Sequence, residues 1–207
     1  FGNEAYILTG YFNIPKIFEL TLNNGYDKMT GQQLGLKLGY ATEFESYEEL
    51  YDAFKKQMKY FIDIKVQGSN VIEKIYAEEM PVPFLSIITN DCISKGKDYN
   101  GGGARYNTKY LQGVGIGTIT DCLASVKYNV YEKKNFSMKE LMQALDDNFE
   151  GHDRILNLVS NKTPKYGNDD EYADSIMRDV FEYYRSQVTG RPNMLGGTYR
   201  INMLPTT

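Results

Sequence analysis

GGGARYN, residues 101–107, and QGVGIGTITD, residues 112–121, decide how this chain is read. Glycines crowded beside Tyr106, Asn107 and Gln112 do not make ordinary core sequence, because glycine adds no packing surface and costs backbone entropy. Residues 104–108 and 111–116 read as strand-like pieces feeding a helix from Thr118 to Tyr131, with Ile119, Cys122, Leu123, Val126 and Val130 as its buried stripe. Gly113, Gly115 and Gly117 therefore stand where a dinucleotide fingerprint would stand. Position 118 is Thr, so G-x-G-x-x-G fails, and nothing else supports a βαβ unit. The glycines instead predict a close approach of helix and strand, or a positive φ.

Outward from this stretch, the pattern is mostly helical. Asn13 can cap a helix with Pro15 in its first turn, ending at Asn24-Gly25. Residues 26–44 read as a loop. Ser46 with Glu49 and Ser137 with Glu140 form capping-box patterns. The first opens one long helix, open to a break near Gly68 and ending before Pro81; the second opens an amphipathic one carrying Met138, Leu141, Met142, Leu145 and Phe149. The spacing also predicts a helix over 84–94, a short one around 155–159, and a last one from about Asp169 to Gly190. Residues 198–204 read as a final strand.

Composition bounds the function. A chain of 207 residues with 42% hydrophobic and 24% charged content suits one substantial core. The net charge of −4 and a pI near 5.2, with Lys and Arg scattered among acids, give no footprint for nucleic acid. No apolar run reaches the roughly 20 residues that span a bilayer. Cys92 and Cys122 are too few and too distant for a zinc or disulfide framework, and they read as plain thiols of a reducing compartment. Eighteen Tyr, ten Phe and no Trp suggest amphipathic aromatic walls.

Other polar groupings have simpler readings than ligation. Asn168, Asp169 and Asp170 suit the cap and first turn of the last helix better than a metal site. His152 reads as a solvated or capping histidine. Lys55, Lys56 and Lys59 form the polar face of the long helix. No metal site is expected.

Three segments, the glycine-rich stretch, KYGNDD at residues 165–170 and FGNEAYILTGYFNIPKIFELTLNNG at residues 1–25, together resemble the glycyl radical enzymes, the family that includes pyruvate formate-lyase and the radical diol dehydratases. The last segment looks most like the branch that dehydrates trans-4-hydroxy-L-proline to pyrroline-5-carboxylate. The resemblance implies an α/β fold, with residues 1–207 forming a helix-rich, incomplete section of a ten-stranded barrel within a single catalytic domain. It also implies that the thiyl-forming cysteine lies upstream of Phe1 and the radical-bearing glycine downstream of Thr207. No catalytic residue is then expected in this chain, which would be inactive alone.

By the same resemblance, Tyr11 and Thr206 approach the substrate, where a phenol and a hydroxyl can hydrogen-bond a small zwitterion without adding charge. No cofactor would bind directly. A partner activating enzyme, using S-adenosylmethionine and an iron–sulfur cluster, would install the radical on a cytoplasmic homodimer in an anaerobe. Two other readings stay open: a family member acting on a diol, or a formate acetyltransferase-like one; and, from a different class, a non-catalytic Tyr-rich binding module.

Overall fold

The computed structural model describes residues 7–204, with side chains from residue 10 onward. Its elements run β1 (Ile7–Asn13), α1 (Ile14–Leu22), β2 (Tyr26–Asp27), β3 (Gln32–Gln33), a 3-10 turn (Ala41–Glu43), α2 (Tyr47–Glu79), α3 (Pro83–Ile88), α4 (Cys92–Lys95), β4 (Lys109–Val114), α5 (Ile116–Val126), a π-helical turn (Lys127–Glu132), α6 (Met138–Asp146), α7 (Asp153–Asn161), α8 (Glu171–Val188) and β5 (Tyr199–Leu204). They fall into two compact units, and α2 and α8 contribute residues to both.

The first unit comprises residues 7–12, Phe61–Val114 and Tyr184–Leu204. Its centre is a three-stranded sheet in the order β1-β4-β5, and no barrel closes among the described residues. β4 and β5 run parallel, in register from Lys109↔Tyr199 to Val114↔Leu204. Two glycine turns lock the entry to these strands. Asn107 Nδ2 donates to the carbonyls of Gly102 and Ala104, while Asn193 Nδ2 donates to the Asn107 carbonyl and Asn193 Oδ1 accepts from the amides of Leu195 and Gly197. Gly197 cannot carry a side chain here, since a Cβ would lie 2.0 Å from the Asn107 carbonyl oxygen.

The second unit comprises Asn13–Tyr60 and Gly115–Tyr183. Leu50, Phe54, Met58, Ile119 and Leu123 are fully buried in it. α1 begins as its sequence requires: Asn13 Oδ1 accepts from the Lys16 amide, and Pro15 occupies the first turn. Ser137 and Glu140 complete a reciprocal capping box on α6. On α2 the box is only half made: Ser46 Oγ accepts from the Glu49 amide, but the Glu49 carboxylate reaches the Glu45 amide. The 26–44 segment is pinned at two points. Gln57 exchanges hydrogen bonds with the backbone of Leu36, and Asp27 accepts from Lys16, Thr30 and the Met29 amide, so its carboxyl is held down at about 2.

Four expectations are corrected. α2 runs unbroken through Gly68, whose roughly 1 kcal/mol helix penalty is offset by burial of Ile62 and Val66 on the same helix. The single helix over 84–94 is two, α3 and α4. Asp91 breaks it at φ +75°, its carboxylate held by the Arg105 guanidinium at 2.9 Å. Residues 104–108 form no strand, because the Asn107 amide bends the chain back and β4 starts only at Lys109.

The fourth correction lies beyond Val126, where α5 widens into the π-helical turn. Asn129 is buried there in place of Val130, and its amide donates to the Ser125 carbonyl and Thr163 Oγ1.

Candidate functional site

Side chains alternate across a strand, so the two faces of the β1-β4-β5 sheet can be read residue by residue. One face is covered. Tyr184 of α8 is fully buried, stacks on Phe12 of β1 at 5.6 Å and donates to the Leu111 carbonyl. A Cβ on Gly113 would meet Met203 Sδ at 2.7 Å and the Tyr184 ring at 3.1 Å, so the glycine is required for this packing. At the start of the strands, Tyr199 donates to Asn70 of α2, and Lys109 lies opposite Glu73 of α2.

That last pair is an unusual one for a core. Both side chains are buried, Lys109 Nζ stands 3.6 Å from Glu73 Oε1, and neither Glu73 oxygen receives a hydrogen bond among the described residues. Burial pushes the Glu73 carboxyl up against the pull of Lys109, and burial pushes the Lys109 ammonium down against the pull of Glu73. The pair belongs to the covered face and faces away from any open surface of the sheet.

The opposite face carries Tyr11, Tyr110, Gln112, Val114, Arg200, Asn202 and Leu204. Phe12 and the glycine at position 10, whose Cβ would meet Lys65 of α2 at 2.8 Å, both turn toward the helices, so Tyr11 turns away. It is 65% exposed. Gln112 and Asn202 are register partners on adjacent strands, which puts their side chains on the same side of the sheet. Beside the exposed Arg200, this face offers a phenol and amides, groups that can hydrogen-bond a small polar molecule from several directions. Of the two nominated substrate-facing residues, Tyr11 is on it; Thr206 lies outside the described residues. Gln112 and Asn202 were not nominated. The signal available for Gln112 was a lone amide between Leu111 and Gly113 in an otherwise apolar strand.

A second concavity, of about 920 Å³, opens within the other unit among α1, α5, α6 and α7. Phe18, Leu22, Leu141, Leu145 and Phe149 give it an apolar floor, and the ion pairs Lys28–Asp146 and Lys165–Asp121 stand at its rim. Cys122 also lines it. Burial, and then the charge of Asp121, push that thiol up, which opposes a nucleophilic role. Cys92 is buried.

The remaining motifs resolve as structure. Gly115 starts α5 at φ +83° and faces Pro15, where a Cβ would come within 2.6 Å. Asp170 Oδ1 accepts from the Tyr172 amide at the start of α8, and His152 Nε2 sits 2.9 Å from Asp147 Oδ2. No group of three or more His, Cys, Asp or Glu suited to a metal occurs among the described residues, and no helix there is long and apolar enough to cross a membrane.

Comparison with known proteins agrees with this architecture. The profile of the family described as Pyruvate formate lyase-like matches residues 1–207. Trans-4-hydroxy-L-proline dehydratase of Clostridioides difficile is 64% identical over 207 residues, which is 100% of this chain and 26% of that protein. (2S)-3-sulfopropanediol dehydratase of Klebsiella oxytoca is 37% identical over 190 residues, 91% of this chain and 23% of that one. The crystal structure of the C. difficile hydroxyproline dehydratase with trans-4-hydroxy-L-proline bound superposes with a TM-score of 0.93, covering 97% of this chain and 26% of that chain. The chain thus spans about a quarter of the length of the curated relatives it matches. Its sheet and helices are a section of the α/β barrel of those neighbours, as the glycine-rich stretch implied. With its whole length matched and its fold shared, this chain belongs to the pyruvate formate lyase-like family of glycyl radical enzymes.

Proposed function

We propose that the protein containing this chain is a glycyl radical hydro-lyase that converts trans-4-hydroxy-L-proline to pyrroline-5-carboxylate and water. The observation that carries the reading is the 64% identity over all 207 residues to a dehydratase of that substrate, against 37% to one acting on sulfopropanediol. The chain contributes one section of a single catalytic domain, and the sheet face bearing Tyr11 forms part of the substrate wall, with Thr206 as a further substrate contact. A phenol and a hydroxyl there suit a zwitterion of no net charge.

The chemistry follows from the substrate. A thiyl radical takes a hydrogen from the ring carbon between nitrogen and the hydroxyl-bearing carbon, and the nitrogen gives up its ammonium proton and stabilises the resulting radical with its lone pair. The hydroxyl leaves with a proton as water, and the thiol returns its hydrogen to the product radical. Substrate and product differ only by that water, so no external oxidant or reductant is consumed. An activating enzyme with S-adenosylmethionine and an iron–sulfur cluster installs the glycyl radical on a homodimer in the cytoplasm of an anaerobe. A closed pocket protects the radicals from solvent and oxygen.

The test is anaerobic activation of the full-length protein, followed by incubation with hydroxyproline, sulfopropanediol, glycerol and isethionate in parallel. Pyrroline-5-carboxylate from hydroxyproline, at a kcat/KM well above that for the other three, is the expected result. Preferential turnover of a diol or a sulfonate would overturn the substrate assignment.

A further inference from the structure

We propose that Gln112 is a substrate-binding residue whose carboxamide holds the carboxylate of a small cyclic amino acid. The inference deepens the hydroxyproline reading and rests on it.

Among the described residues, three other buried side-chain amides are tied down. Gln57 bonds Leu36 through both ends of its amide, Asn129 bonds Ser125 and Thr163 and accepts from Asn135, and Asn193 bonds Asn107, Leu195 and Gly197. Gln112 is as deeply placed, 5% exposed on the central strand, yet no hydrogen bond among the described residues uses its amide. An amide set this deep with only a sliver of open surface left for hydrogen bonding is one that a ligand can use.

Its direction is set by the strand. Gly113 faces Tyr184, so Gln112 turns toward the opposite face, where Tyr11 stands exposed and Asn202 is its register partner. Leu204, two residues beyond Asn202, adds an apolar side chain on the same side of the sheet.

The chemistry of this group narrows the ligand. The Gln112 amide nitrogen donates two hydrogens, which a carboxylate accepts, and its carbonyl oxygen accepts from an N–H of a protonated ring amine. A carboxylate and a secondary ammonium bonded to the same carbon use both ends of one amide, whereas a diol offers no anionic acceptor. A neutral amide also avoids imposing a net charge on a zwitterion that has none. Leu204 then suits the methylenes of the ring.

Gln112→Met in the activated full-length protein tests this, because the side chains are close in shape and only the amide is lost. KM for hydroxyproline should rise roughly tenfold, while radical content by electron paramagnetic resonance and the thermal midpoint stay at wild-type values. Gln112→Glu should raise KM further, since a carboxylate would face a carboxylate. An unchanged KM would overturn the inference, and so would a lowered midpoint with unchanged KM, which would assign the amide to another part of the polypeptide. Should the methionine variant not accumulate, Gln112→Asn withdraws the amide by one methylene and is read the same way. Wild-type protein that activates but leaves hydroxyproline untouched would instead sink the substrate reading and this inference with it.

Discussion

The two faces of one three-stranded sheet are built for different ends. Toward α2 and Tyr184, the sheet is sealed by Leu111, Tyr199 and Met203, with a required glycine at 113 and even a charged pair taken out of water. On the other side stand an exposed phenol, a buried amide that no described residue satisfies and a half-buried asparagine. On the first side the polar groups are shut in with one another, Lys109 against Glu73 and Tyr199 on Asn70, whereas on the second the Tyr11 phenol stands open and no described residue meets the Gln112 amide. Variants on the covered face should therefore change stability and leave substrate affinity alone. Variants on the open face should do the reverse.

The largest effect is expected for Tyr184→Ala in the full-length protein. It removes a fully buried ring, its stacking on Phe12 and its hydrogen bond to Leu111, for a loss of about 3–5 kcal/mol. Chemical denaturation measures it. Wild-type stability would mean that the covered face is not the load the sheet rests on.

Next comes Lys109→Met, which leaves Glu73 buried without its counter-charge, at a cost of about 3 kcal/mol. The pH dependence has a definite sign. Glu73 titrates above its unfolded value because burial opposes its charge, so its protonated form favours the folded state. That contribution is complete below the ordinary carboxylate pKa and is lost as pH rises through the raised one. Removing Lys109 raises the Glu73 pKa further, so the variant should lose more stability than wild type between acidic and neutral pH. Adding Glu73→Gln should recover most of the loss and flatten the profile. A parallel pH profile for wild type and variant would show that the two groups do not act on each other.

Much of the covered architecture was legible in the sequence, and the reasons are local. Asn13 with Pro15, and Ser137 with Glu140, announce helix starts because a cap is a contact between residues only three apart. The glycines at 113 and 115 announced close approach or positive φ, and both occur. What escaped depends on distant partners. Asp91 breaks a helix because Arg105 holds it, and Asn129 opens a π-turn because Thr163 receives its amide.

The open face was half legible for a related reason. Tyr11 could be nominated from family resemblance, but Gln112 becomes informative only once the sheet shows which way it turns and that nothing described meets it. Periodicity in a six-residue strand containing a glycine is too short to assign faces unaided.

The smallest effects belong to the open face itself. Tyr11→Phe removes one hydroxyl from a ring that is 65% exposed, so the folded protein should not register the change beyond about 0.5 kcal/mol. In the proposed site, substrate covers that hydroxyl only when bound, and water competes for it otherwise. The net loss should then sit near the low end for a hydrogen bond, about 1 kcal/mol, or roughly fivefold in kcat/KM for hydroxyproline. Thr206→Val, which exchanges a hydroxyl for a methyl, should behave alike. Glycyl radical content measured beside steady-state kinetics separates a damaged pocket from a failure of activation. If both variants keep wild-type kinetics while Gln112→Met does not, the substrate sits along the central strand; if all three do, the contrast between the two faces has no bearing on catalysis.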